Sequence, residues 1–209
     1  MFNIFSDVLR TVSETSKIPV VIILVVLLAL TVILIGWVIV EGFTERKRLR
    51  VKLPELLDEL REGRPEDVAR CIRKSGLLIS MKEALVEVTR HPSFTPVMLE
   101  SLADSQLDME QQRYDRILKI TDTIAKIAPM VGLLGTLIPL GPGIIALGQG
   151  DTLTLSESLL TAFDTTVAGL ISAAICLIIS VVRRGWYNEY MTILETVMDC
   201  VVEIEKETL

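Results

Sequence analysis

Residues 127–148 (IAPMVGLLGTLIPLGPGIIALG) and residues 159–182 (LLTAFDTTVAGLISAAICLIISVV) are two apolar stretches that decide the fold. Each is long enough for a helix that crosses the roughly 30 Å hydrocarbon core of a bilayer. A span that only had to dissolve in lipid could be Leu and Val throughout, whereas these two carry Gly, Thr, Pro and one Asp. Small residues allow helices to pack closely in a membrane, and polar residues there need partners. The composition therefore predicts two helices that face each other or a pore.

The rest of the chain separates charge from hydrophobicity. Of 209 residues, 50% are hydrophobic and 23% charged, and mean hydropathy is +0.51. Charges concentrate in residues 41–126 and 183–209, and residues 18–40 form a third, strongly aliphatic stretch that we expect to lie against lipid. This stretch is too long for a signal peptide and lacks a basic segment directly before it. Residues 1–17 have apolar side chains at helical spacing, which predicts an amphipathic helix on the membrane surface; a frayed tail is the alternative.

The basic residues beside the spans predict the orientation. A run of Lys and Arg follows the first span at 46–52, Arg183 and Arg184 follow the third, and the connection 149–158 has none. Basic flanks stay in the cytoplasm. We therefore expect an outside N-terminus, a cytoplasmic region 41–126, an extracytoplasmic loop 149–158 and a cytoplasmic C-terminal helix 183–209.

The region between the first two spans shows helical periodicity. Short helices are predicted at 54–62, 65–74 and 77–90, each ended by Gly or Pro signals. From residue 95 the apolar period runs without a break into the second span, and the third span continues in the same way almost to the C-terminus. The predicted fold is an all-α integral membrane protein with three transmembrane helices, the second and third extended into a cytoplasmic helical bundle.

Several function classes fit poorly. The net charge of −6 and the lack of a basic, aromatic-rich platform argue against nucleic-acid binding. Cys71, Cys176 and Cys200 are isolated, so no metal site or other cofactor is expected. No phosphate-binding loop or nucleophile–base set is present in the sequence, and we do not expect an enzyme.

Small and hydroxyl residues recur at steps of three and four on both polar spans, which places each set on one helix face. Packing alone explains the Gly and Ala residues, and a pore face is the functional alternative. In the second span the set is Ala125, Ala128, Gly132, Gly135 or Thr136, Pro139, Gly143 and Ala146. In the third span it is Ser158, Ala162, Thr165 or Thr166, Gly169, Ala173, Cys176 and Ser180.

Two motifs on these faces resemble a known family. Residues 128–136 (APMVGLLGT) look like the APxxGLxGT signature of the MotA/TolQ/ExbB proton channel family, and residues 163–170 (FDTTVAGL) are similar to an element of its last span. The three-span layout resembles the TolQ and ExbB branch. The close resemblance covers about residues 125–188.

The resemblance implies a homopentamer in the cell membrane of a prokaryote, with the second and third spans around a pore. That pore would hold a dimer of a single-span TolR-, ExbD- or MotB-like partner, whose aspartate carries the proton. Thr136 and Thr166 match the pore threonines of the family. A non-conducting oligomeric scaffold is the alternative function, and the choice between proton and sodium stays open.

Two features depart from the family pattern. Asp164 lies inside the third span, where a role in ion entry, a hydrogen bond between subunits and a water-exposed mouth are the three alternatives. Pro139 and Pro142 should kink or locally unwind the second span just beyond Thr136, and they are the predicted hinge.

Overall fold

The computed structural model describes residues 17–48, 52–63, 67–91 and 94–208. The predicted amphipathic segment at the N-terminus therefore lies outside the described residues, except for residue 17. Every regular element within the described ranges, apart from a single residue of 3₁₀ turn at Asp67, is an α-helix. In chain order the helices are α1 (Lys17–Arg48), α2 (Leu53–Glu62), α3 (Val68–Lys74), α4 (Ile79–Thr89), α5 (Pro96–Gly148) and α6 (Thr152–Thr208).

Three of these helices, α1, α5 and α6, are long and apolar enough to cross a membrane. The prediction that the second and third spans continue as long helices is confirmed, because α5 has 53 residues and α6 has 57. The predicted unwinding at Pro139 and Pro142 is not observed, since α5 stays helical through both prolines and ends at Gly148.

The connection between α5 and α6 is shorter than predicted. The polar residues in 149–158 suggested a loop of that length, but α6 already begins at Thr152. Asp151 explains the early start. Its Oδ1 accepts a hydrogen bond from the backbone N–H of Thr154 at 3.1 Å, and its Oδ2 accepts one from the Thr154 hydroxyl at 2.5 Å. An Asp that binds the free N–H groups of the first turn is a strong helix start.

The described chain divides into two units. The first, here called the apolar unit, contains residues up to Trp37 and residues 119–181. One side of α1 is buried within it, at Val20, Leu24, Thr31 and Leu34, while most other α1 side chains in this unit are exposed apolar groups. The Thr31 hydroxyl donates a hydrogen bond to the Leu27 carbonyl of its own helix at 2.8 Å. The same hydroxyl lies 3.7 Å from the Cys176 Sγ, so it also contacts α6.

The second, the polar unit, contains residues 38–118 and 182–209. All of its helical segments except the α1 end contribute to one apolar core. Its fully buried side chains include Leu60, Ile72, Met81, Leu85, Leu194 and Met198. The Tyr114 and Tyr187 rings stack at 4.5 Å between centroids, which joins the α5 part of this core to the α6 part.

Candidate functional site

The two polar spans pack against each other along a line of small residues in the apolar unit. A Cβ added to Gly135 would lie 2.8 Å from the Thr165 Cβ, and one added to Gly169 would lie 2.7 Å from the Ala128 carbonyl oxygen. Such distances leave no room for a side chain: at Gly169 backbone meets backbone, and at Gly135 the α5 backbone meets the Thr165 side chain. We call this line the glycine seam: on α5 it contains Ala128, Gly132, Gly135 and Gly143, and on α6 Ser158, Thr165 and Gly169.

The seam decides between the alternatives that helical spacing left open. Gly135 rather than Thr136 lies in the contact, and Thr165 rather than Thr166 is buried there, with 6% of its surface exposed. The Thr165 hydroxyl donates to the Ala162 carbonyl at 2.9 Å, which satisfies its proton inside the helix. Ala162 and Ala173 are also buried. Gly132, Gly135 and Gly169 therefore pack one helix of this chain on the other.

Thr136 and Thr166 lie beside the seam and are half-buried. Each follows a seam residue by one position, and one position turns the side chain by about 100° around an α-helix. The seam contacts pair early residues of α5 with late residues of α6, so the two helices are antiparallel. In a pair of antiparallel helices, a step of one residue along either chain turns the side chain from the contact line toward the same side of the pair. Both threonines therefore emerge on one side, which we call the threonine side.

Apolar side chains surround the two threonines. Leu133 precedes Thr136 by three residues and Leu170 follows Thr166 by four, the spacings at which helical side chains are neighbours. Leu133 is 60% exposed and Leu170 is 54% exposed in the single chain. The Thr136 hydroxyl donates to the Leu133 carbonyl at 2.7 Å, so its proton is used and its oxygen lone pairs stay available. The threonine side thus combines an uncovered apolar surface with hydroxyl oxygens.

Asp164 lies on the other side of the pair. Asp164 precedes the seam residue Thr165, whereas Thr166 follows it, so the two side chains point in opposite directions around the α6 axis. Residues two apart on a helix do not face each other. Its side chain is exposed. The structure therefore brings Thr136 and Thr166 to one side and separates Asp164 from both of them.

A buried ion pair, which the sequence interpretation missed, lies in the polar unit at the helix segments that leave the first and third spans. The Arg183 Nε donates to the Glu41 Oε2 at 2.9 Å, and the Tyr187 hydroxyl donates to the Glu41 Oε1 at 2.6 Å. Arg183 is fully buried and Glu41 is 9% exposed. The sequence signal for this pair is an acidic residue directly after the first span, Glu41, and a basic residue directly after the third, Arg183. The sequence alone identifies Arg183 only as a basic flank of the third span.

A second missed contact joins α5 and α6 in the apolar unit. The Ser180 hydroxyl donates to the Asp122 carboxylate, and Ser180 is buried while Asp122 is half-buried. Ser180 belonged to the predicted stripe, whereas Asp122 lay outside the predicted span and gave no signal of its own. This contact fixes the register of the two helices beyond the seam.

The comparison with known proteins agrees with this geometry. Residues 75–196 match the family model described as the MotA/TolQ/ExbB proton channel family, and this range contains the seam, both threonines and Asp164. No curated protein matches the chain. The match extends well beyond residues 128–136 and 163–170, which carry the two motifs, and it covers more than half of the 209 residues. The chain is therefore a membrane protein that belongs to the MotA/TolQ/ExbB proton channel family.

Proposed function

We propose that this chain is the proton channel subunit of a motor in the cell membrane of a prokaryote. Five copies surround a dimer of a single-span TolR-, ExbD- or MotB-like partner, and ion flow between them is coupled to mechanical work. One observation carries the proposal: Thr136 and Thr166 emerge on the same, uncovered side of the α5–α6 pair.

The chemistry of threonine explains why a partner is needed. A hydroxyl is neutral at working pH and does not take up and release a proton, so the chain supplies a hydrogen-bonding path and another molecule supplies the titrating group. The Thr136 oxygen has already donated its proton to its own helix. It therefore acts as an acceptor for water or for a protonated carboxyl group. In a site surrounded by Leu, such a hydrogen bond is stronger than in water.

The apolar surface on the threonine side supports a pore that is filled by helices. Leu133 and Leu170 would border the hydroxyls on each of five subunits, and a partner helix with an apolar surface packs against such a ring. A continuous water column has no need for Leu at these positions. The pore therefore admits protons along the hydroxyls and the partner carboxylate, rather than along an open channel.

The polar unit belongs in the cytoplasm in this proposal. Arg183 is neutralised by Glu41, so the orientation depends more on the exposed Arg184 and on the basic run 46–52. The three-residue turn between α5 and α6 then lies outside. Asp164, on the side away from the threonines, is assigned to the surface between neighbouring subunits, and Pro139 and Pro142 to a hinge in α5.

The test is proton flux through the chain and its partner in proteoliposomes under an imposed pH gradient. Thr136→Ala and Thr166→Ala should each abolish partner-dependent flux, while Thr136→Ser, which keeps the hydroxyl, should retain it. Thr192→Ala is the matched control, because the Thr192 hydroxyl also donates to its own helix, at the Asn188 carbonyl, but lies in the polar unit.

Assembly with the partner is measured on the same samples by native mass spectrometry. Loss of flux with an intact complex supports the channel. Unchanged flux in both alanine variants contradicts it, and the absence of any partner-dependent flux favours the non-conducting scaffold.

A further inference from the structure

A cavity of about 270 Å³ lies among α1, α5 and α6 in the apolar unit. Val20 and Val21 of α1 form its apolar wall, and Pro139 and Pro142 contribute from α5. The α6 wall is polar and carries the Glu157 carboxylate. The cavity is therefore mainly apolar, with its oxygen-bearing side chains on the α6 wall.

The two prolines free backbone carbonyls at the cavity. Proline has no N–H, so Pro139 removes the usual helical donor for the Gly135 carbonyl and Pro142 removes the one for the Ile138 carbonyl. Gly135 and Ile138 both line the cavity. A carbonyl that lacks its helical donor keeps its lone pairs available to another partner, even where the helix stays continuous, as α5 does here.

The opposite wall offers hydroxyl oxygens whose protons are already used. The Thr161 hydroxyl donates to the Glu157 carbonyl at 2.9 Å, and the Thr154 hydroxyl donates to Asp151. Ser158 adds a third hydroxyl to the lining. The oxygen atoms of Thr154 and Thr161 therefore act as acceptors toward a ligand, beside the negative charge of Glu157.

We infer that this cavity binds a singly charged metal cation of the Na⁺ class together with part of its water shell. Carboxylate, carbonyl and hydroxyl oxygens are the ligands that hard cations prefer. One carboxylate balances one positive charge, and it repels anions. A volume of about 270 Å³ accommodates a cation together with several retained waters.

The site is independent of the proposed proton path. Pro142 precedes the seam residue Gly143, and Glu157 precedes Ser158, so both lie on the side away from Thr136 and Thr166. The ends of α5 and α6 meet near the cavity with opposite helix dipoles, whose effects on a cation offset each other. The ion is thus a structural ligand shared by α5 and α6, with α1 as the apolar wall of its site. The inference does not depend on the proposed role of Thr136 and Thr166.

The test is the thermal stability of the purified full chain in detergent, followed by Trp fluorescence, with NaCl, KCl or choline chloride at equal ionic strength. NaCl at about five-fold above the Kd should raise Tm by about 2–4 °C over choline chloride. Glu157→Gln and Pro142→Ala should each remove this difference, because the first deletes the charge and the second restores the N–H for the Ile138 carbonyl.

Two variants serve as matched controls. Pro129→Ala also restores an N–H inside α5, and Glu189→Gln also removes an exposed carboxylate, but neither residue lines the cavity. Both should keep the full NaCl effect. For any variant that does not fold, ²³Na NMR of the wild-type chain replaces the comparison, since binding broadens the ²³Na line beyond that of detergent alone.

Three results overturn the inference. One is equal Tm in NaCl and choline chloride with no ²³Na broadening, and another is a NaCl effect that survives both cavity variants. The third is stronger stabilisation by methylammonium chloride than by NaCl, which assigns the cavity to an organic ammonium group instead.

Discussion

The guanidinium of Arg183 and the carboxylate of Glu41 form an ion pair in which the Arg183 Nη2 lies 2.6 Å from the Glu41 Oε2 and both side chains are buried. The two residues are 142 positions apart in the chain. The pair therefore ties the α1 segment that follows the first span to the α6 segment that follows the third. Tyr187 donates a further hydrogen bond to Glu41, so both carboxylate oxygens have partners.

Replacing Glu41 should destabilise the chain strongly. Glu41→Gln removes the carboxylate charge that lies 2.6 Å from the buried Arg183 guanidinium, and breaking a buried pair in this way costs about 3–5 kcal/mol of the free energy of unfolding. Unfolding can be followed through Trp186, because its ring lies 3.1 Å from the position of a Cβ on Gly42, next to Glu41. The measurement is an SDS titration of the purified chain.

Lys206→Ala is the control for this prediction. Lys206 pairs with Glu100 in the same unit, but both side chains are partly exposed. Exposed pairs contribute less than about 1 kcal/mol. The interpretation of Glu41 is wrong if the two variants unfold at the same SDS concentration.

Adding one methyl group at Gly169 should separate α5 from α6. The new Cβ would lie 2.7 Å from the Ala128 carbonyl oxygen and 2.9 Å from the Gly132 Cα, and both are backbone atoms that no rotamer change can move. Overpacking of this kind costs about 1–3 kcal/mol or more. Gly169→Ala should therefore lower the SDS midpoint and increase hydrogen exchange along α5 in the apolar unit.

The matched variant is Gly185→Ala in the same helix. No atom lies within 4 Å of a Cβ at this position, and the residue is exposed. Alanine is the better helix former by up to about 1 kcal/mol, so this variant should be neutral or more stable. If the two variants were destabilised equally, the loss of stability would come from replacing any glycine in this helix, and not from the close contact at the seam.

Sequence periodicity predicted the helices and spans well, but it predicted the contacts less well, for identifiable reasons. Gly135 and Thr136 are adjacent and about 100° apart on the helix, so both fit the same stripe. Only the antiparallel partner, with Thr165 opposite Gly135, decides which one is buried. This choice places the two neighbouring threonines on a common side.

Contacts between residues far apart in the sequence could not be predicted, for a different reason. The sequence predicts that Arg183 is a flanking charge, because charges at span ends usually face water. Its burial depends on Glu41, which no local pattern in α6 reveals. The loop 149–158 was overestimated because Ser156 and Glu157 are polar, whereas the cap at Asp151 had already started the helix.

The capping carboxylate of Asp151 should titrate in a way that depends on Thr154. The hydrogen bond from the Thr154 hydroxyl, followed by the one from its backbone N–H, holds the pKa of Asp151 below its ordinary value of 3.8. Both bonds favour the ionised form. A lowered pKa means that the cap contributes its stability above the ordinary carboxyl range and loses it as the pH falls through the lowered value.

The measurement is a ¹³C NMR titration of the Asp151 carboxyl group in detergent micelles. Thr154→Val removes the stronger bond and keeps the backbone N–H, so the pKa of Asp151 should rise toward its ordinary value without reaching it. Ser156→Ala is the control, because the Ser156 hydroxyl donates to the Thr152 carbonyl instead. Since the cap fixes where α6 begins, the protection factors of the amides at residues 152–156, which are corrected for the intrinsic exchange rate at each pH, should be low in Asp151→Ala at every pH. In the wild-type chain they should fall only in acid. A Thr154→Val titration identical to wild type would show that the hydroxyl does not hold the carboxylate.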